Sequence, residues 1–211
     1  RITVPRDFFA GWASRTNVFQ YLGVHYVDLL HFLTGARPRR AIAAGRRGIL
    51  DRMGIHTYDS VHALIEWTAP AERQDGFLSQ LAIGWIDPDR SSAMSDQRYV
   101  LVGSDGRIEC DQKNRGLRMV GARQGVEDIN PYFSEYLEGD GRSLDFAGYG
   151  HRSIERFLLD VRDLKARTID ARGLEGRRPT FRSAFASTAV VQAVRESLDG
   201  QSAWRDVDAA P

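Results

Sequence analysis

Residues 57–67, TYDSVHALIEW, alternate strictly: Val61, Ala63, Ile65 and Trp67 fall on one side, Tyr58, Ser60, His62, Leu64 and Glu66 on the other. A period of two with β-branched and aromatic residues on the apolar side describes a strand with one buried face. Residues 77–86 repeat the pattern with Phe77, Leu81, Ile83 and Trp85 on one face and Ser79 as the polar exception, ending at Asp87-Pro88. Segments 98–103 and 107–111 flank Ser104-Asp105-Gly106, where glycine can supply a positive φ, which predicts a hairpin. Weaker strands are expected at 41–50 and 117–121.

Upstream of this meander, Val18, Leu22, His25, Leu29 and Phe32 recur at intervals of four, three, four and three, one face of a helix over 17–34. Asn17 can cap its start, Gly35 can close it in the left-handed conformation, and Pro38 forbids continuation. Downstream, after a connection rich in glycine and aromatic residues, Ile154, Phe157, Leu158, Val161 and Leu164 form a second helical stripe. Thr180 can cap a third helix, which carries Phe181, Ala184, Phe185, Thr188, Val191 and Val194 up to Gly200. Strands grouped between helices predict the α+β class: one domain over 1–211, with an open, mostly antiparallel sheet of about six strands and helices covering one face.

The 211 residues are 42% apolar and 27% charged with a net charge of +1, the profile of a globular chain that folds without a staple. The single Cys110 excludes an intramolecular disulfide and a thiolate zinc module, and fits a reducing, cytoplasmic setting. No apolar run approaches the ~18 residues of a membrane span, so no membrane partner is expected. Balanced charge argues against a nucleic-acid partner; Arg37, Arg39, Arg40, Arg46, Arg47 and Arg52 read as a solvated strand face, with contact to phosphate or an acidic partner the sharper alternative. No G-x-G-x-x-G follows a strand and opens a helix, and no Walker motif occurs, so no nucleotide cofactor is expected to bind this chain alone. Hydrolase readings lose support because G-x-S-x-G and H-E-x-x-H are both missing from the sequence.

On a helical wheel with Val18 at zero, His25 falls at about 340°, Tyr21 at about 300° and Asp28 at about 280°. His25 is thus expected at the border of the buried stripe, with a phenol one turn before it and a carboxylate about one turn after. A carboxylate near an imidazole can orient the ring and favour general acid and base work; a histidine merely packed against Asp28 is the plainer alternative. Tyr149 and His151 follow a glycine-rich loop and precede a helix, a place where site residues often lie. His62, Glu66 and Tyr58 share a strand face, where sheet polarity explains them equally well.

The segment NVFQYLGVHYVDLLHFLTG (17–35) resembles the first helix of the C-terminal domain of the glucose-fructose oxidoreductase / inositol dehydrogenase / rhizopine-catabolism (Gfo/Idh/MocA) family. Its Gly-x-His-x-x-Asp stretch is matched by Gly23, His25 and Asp28, and the apolar run ends at Gly35. The strand meander, the hairpin at 102–108 and the final Ser-Leu-Asp-Gly at 197–200 extend the resemblance over nearly the whole chain. The resemblance implies the substrate-binding half of a two-domain oxidoreductase acting on a sugar, cyclitol or related polyol. An N-terminal Rossmann half, expected upstream of Arg1 or in a separate chain, would bind NAD or NADP, and this chain alone would be inactive. It further implies that His25 assists proton transfer, with Asp28 orienting it, Tyr21 lining the pocket and Tyr149 and His151 as weaker substrate contacts. The open sheet face would form a homo-oligomer. Many members carry an aspartate two residues before the motif glycine, where this sequence has Tyr21. A second reading is therefore kept: a non-catalytic binding or assembly module that retained the fold.

Overall fold

A computed structural model describes residues 1–69, 75–90, 94–112, 116–129, 134–138, 144–175 and 177–208. The architecture is α+β with antiparallel sheets. Where length alone predicts one domain, the chain gathers into two compact units, Arg1–Ser91 with Pro179–Pro211, and Ser92–Arg178. The expected single sheet of about six strands is accordingly divided, because each unit closes its own set of strand pairs.

The first unit opens with a π-helical turn, Val4–Phe8, and the short helix α1 (Ala10–Ala13), neither foreseen from the sequence. A second π-helical turn, Phe19–Gly23, runs directly into α2 (Val24–Thr34). Asn17 caps as expected, its Oδ1 accepting the Gln20 N–H at 2.9 Å, and Gly35 ends the helix with φ 67°. The buried face is not the expected one. Bonds from i to i+5 place an extra residue in the turn at 19–23, so positions beyond it lag a strict 3.6 period. Val18, Phe19, Gly23, Val27 and Leu30 face inward, His25 is exposed rather than at the border, and Phe32 is 82% exposed.

Strands β1 (Arg37–Arg46), β2 (Ser60–Thr68) and β3 (Phe77–Gly84) follow, with α3 (Ile49–Arg52) between the first two. The strand expected at 41–50 starts earlier and stops earlier. Asp59 explains the stop: its carboxylate accepts the N–H groups of Ile49 and Leu50, both at 2.8 Å, and so starts α3. Pro38 lies beside a register irregularity between Pro38 and Arg40, the kind of position where a strand tolerates proline. Alternation holds across the sheet: Ala43, Ala63 and Leu81 are neighbours in register on the inner face, and Val61, Ile65, Trp67 and Ile83 are buried with them.

The second unit contains the meander β4 (Arg98–Gly103), β5 (Gly106–Asp111), β6 (Gly116–Gly121) and β7 (Gly125–Ile129), and the pair β8 (Ser134–Glu138) and β9 (Leu144–Gly148). The hairpin expected around Ser104-Asp105-Gly106 is the β4–β5 connection. α4 (Tyr149–Lys165) and α5 (Ala171–Glu175) complete the unit. The stripe read for α4 is real in pattern but faces outward, with Phe157 65% exposed and Ile154 and Leu158 similarly so. Asp160 on α4 accepts two hydrogen bonds from the Arg178 guanidinium, at 2.5 and 3.0 Å.

The chain returns to the first unit through α6 (Phe181–Asp199) and β10 (Arg205–Asp206), which completes the sheet order β10-β1-β2-β3. Thr180 and Ser183 form a capping box at the start of α6. Its inner face is Ser187, Val190, Ala193, Val194 and Ser197, out of phase with the expected stripe, and Phe181 is fully exposed. The helix lies against β1 and α2, covering one face of the sheet. Ser197 fixes it there: its Oγ accepts the Ala43 N–H at 2.9 Å and donates to the Ala203 carbonyl at 2.6 Å. Ile42, Leu64, Ala44, His62, Ala82 and Leu78 lie on the other face.

Candidate functional site

Position 25 is set by the helical run that begins at the Asn17 cap. The π-helical turn turns Phe19 inward, where its side chain is fully buried, and a Cβ on Gly23 would come within 2.8 Å of that ring. The glycine of the Gly-x-His-x-x-Asp stretch is thus needed for close packing of the helix on its own buried phenylalanine. Two residues later, His25 emerges into solvent, and Asp28 is exposed beside it on α2. No hydrogen bond or ion pair joins the His25 imidazole to the Asp28 carboxylate, so both groups face outward without being tied to one another. π-Helical insertions of this kind are frequent at functional sites, because they present side chains a regular helix would bury.

Tyr21, one turn before His25, is half-buried in an aromatic cluster that the sequence reading missed. Its ring meets Phe9 edge-on, with centroids 4.8 Å apart at 73°, and approaches Trp85 at 5.9 Å and Trp12 at 6.2 Å. Phe9 and Trp12 are themselves 4.9 Å apart at 71°. The cluster holds the N-terminal segment onto the start of the motif helix. The same segment is tied to the chain just after β3 by the Ile2 N–H to the Asp87 carbonyl at 2.9 Å and by Arg6 to Asp89 at 3.1 Å. The available signal was Phe8, Phe9 and Trp12 at helical spacing upstream of Asn17.

The remaining expected site residues are distributed elsewhere. His151 is exposed in the first turn of α4, in the second unit. Tyr149 opens the same helix, and its side chain lies outside the described residues. His62 is exposed on the open sheet face, and Glu66 is engaged by Arg39 at 2.8 Å and Arg40 at 2.5 Å. The Arg40 guanidinium beside it, seconded by Arg39, holds the Glu66 carboxyl below the usual carboxylate range. Arg40 also lies over the Trp204 ring and Arg47 over Tyr58, at 4.7 and 4.3 Å, so Arg39, Arg40 and Arg47 of the arginine run are engaged within the protein.

The described residues form no Rossmann-type cradle. Every strand pairing among them is antiparallel, whereas the pyrophosphate cradle needs a glycine loop between a strand and a helix of a parallel unit. Among the described residues no group of three or more histidine, cysteine or acidic side chains is placed to hold a metal ion. No described helix is long and apolar enough to cross a membrane.

Comparison with known proteins agrees with this geometry. The model of the GFO/IDH/MocA C-terminal domain matches residues 3–109, and the chain belongs to that oxidoreductase family. No curated protein matches the sequence. Among solved structures, an inositol dehydrogenase homolog from Azotobacter vinelandii, complexed with NADH and myo-inositol, is 19% identical with a TM-score of 0.65. The similarity covers 92% of this chain and 51% of that one. UDP-N-acetylglucosamine 3-dehydrogenase from Acidithiobacillus ferrooxidans is 19% identical over 92% of this chain and 50% of its own, at a TM-score of 0.59. An oxidoreductase from Pseudomonas syringae is 18% identical over 94% of this chain and 54% of its own, at 0.65. At these identities the likeness is one of fold, and the chain spans about half the length of each of these structures.

Proposed function

We propose that this chain is the substrate-binding and oligomerisation part of an NAD(P)-dependent oxidoreductase acting on a sugar, cyclitol or related polyol. The observation that carries the proposal is His25: an exposed imidazole, tied to no neighbouring side chain, on the motif helix within the region matched by the family model. The similarity in fold to an inositol dehydrogenase homolog complexed with myo-inositol and to UDP-N-acetylglucosamine 3-dehydrogenase supports the substrate class. NAD or NADP belongs in this reading to a nucleotide-binding half outside the chain, which supplies the redox chemistry. The isolated chain is accordingly inactive.

Within that enzyme His25 takes the proton from a substrate hydroxyl as its carbon is oxidised, or returns it to a carbonyl in the reverse direction. Asp28 is a positioning residue that favours one orientation of the imidazole, and Tyr21 borders the pocket. Tyr149 and His151 are lesser substrate contacts. The uncovered face of the first unit's sheet pairs with a second copy, and the protein works in the cytoplasm.

Polyol-dependent reduction of NAD or NADP by the full-length protein tests the reading. His25→Ala is expected to lower kcat by about 10²–10⁴-fold, the range of a lost acid–base group. Full turnover in the variant would remove His25 from the chemistry. Absence of turnover in the unmodified protein would favour the assembly-module reading, which draws support from Tyr21, an aromatic side chain packed edge-on against Phe9.

A further inference from the structure

We infer that Trp12, braced by Phe9 and Tyr21, is the wall against which the ring of a cyclic polyol or sugar stacks beside His25. The inference rests on the substrate class proposed above and adds the residue that would select rings over open chains. Trp12 keeps 39% of its surface exposed although two aromatic neighbours touch it. They meet it at 71° and 78°, in edge contacts. Trp67 is the contrast: it lies parallel to Phe77, at 9° and 5.5 Å, and is buried. The cluster at Trp12 therefore anchors the indole without stacking a neighbouring ring upon it.

The helix that carries Tyr21 brings polar groups after it. Tyr21 contacts Trp12, His25 follows Tyr21 by one helical turn, and Asp28 stands exposed on the same helix. Beneath Tyr21 and Phe9 lies Trp85, 1% exposed, whose indole N–H has no protein acceptor, one of two such buried side-chain atoms among the described residues. A pyranose or cyclitol carries C–H bonds polarised by their hydroxyls on its faces and hydroxyls around its rim. The faces suit the negative π-surface of an indole, and the rim suits imidazole, phenol and carboxylate. An acyclic polyol offers the hydroxyls without a rigid face.

The test uses the full-length protein and two probes, myo-inositol and acyclic sorbitol, with affinities measured by calorimetry and ring-proton contacts by saturation-transfer NMR. The expected result is a Kd for myo-inositol about tenfold below that for sorbitol, with the gap closed in Trp12→Ala and largely kept in Trp12→Phe. Should Trp12→Ala fail to fold, Trp12→Leu keeps bulk without a π-face and is expected to close the gap equally. Equal affinities in the unmodified protein, no binding of either probe, or a gap that survives Trp12→Ala would each overturn the inference. So would a Trp12→Ala variant that changes only the association of protein chains, which would assign the indole to a protein contact. His25→Ala separates the two readings: it keeps the ring preference if the wall is right, and its turnover reports independently on proton transfer.

Discussion

A methyl group at Gly23 would stand 2.8 Å from the ring of Phe19, which is fully buried and has nowhere to go. Replacing a helical glycine by alanine ordinarily adds up to about 1 kcal/mol of stability. Here overpacking, which costs about 1–3 kcal/mol, is the larger effect. Gly23→Ala is therefore expected to lower the free energy of unfolding in urea by about 1–2 kcal/mol; an unchanged or raised midpoint would contradict this packing. The candidate residues were legible in the sequence, since Gly23, His25 and Asp28 stand at the spacing of the family motif. Their surroundings were not. A wheel at 100° per residue cannot know that the turn at Phe19–Gly23 is π-helical, and so it put His25 at a border where the structure has an exposed imidazole, and it could not show the Tyr21 ring meeting Phe9, Trp12 and Trp85.

At the level of elements, period-two strands were read well because a sheet with one buried face forces strict alternation, as β2 and β3 show. Helix faces were read less well. Only the tertiary partner decides which flank of α6 turns inward, and Ser187 and Ser197 are buried there because their hydroxyls find carbonyl partners at Ala184 and Ala203. α4 is held differently, through the forked pair of Arg178 and Asp160. The Arg178 hydrogen bonds hold the Asp160 carboxyl below the usual carboxylate range. A carboxyl that binds its proton less tightly in the folded than in the unfolded chain stabilises above the unfolded pKa, about 3.9, and loses that contribution as pH falls through its folded value. Asp160→Asn is expected to reduce stability at neutral pH and to flatten the decline below about pH 4 followed by circular dichroism. Identical acid limbs in both proteins would show that the pair contributes nothing to folding.

For the whole molecule, the division into two units was hidden because both are built from the same antiparallel pattern, so Pro88, Ser91, Ser92 and Ser95 at the boundary read as one more turn between strands. The uncovered face of the first unit's sheet is where the proposed self-association is tested. Leu78 is 60% exposed on it, opposite Glu66 in register and diagonal to Leu64, and a two-fold interface there would bring each patch against its own copy. A double change, Leu64→Arg with Leu78→Arg, is expected to reduce the sedimentation mass to that of a monomer; an unchanged mass would place the contact elsewhere.

The central claim is that His25 moves a proton, and chemical rescue addresses it most directly. In the full-length protein His25→Ala should lose about 10²–10⁴-fold in turnover and recover part of it in proportion to added imidazole base. Turnover that stays near the unmodified rate without imidazole, or a loss that imidazole does nothing to repair, would contradict it.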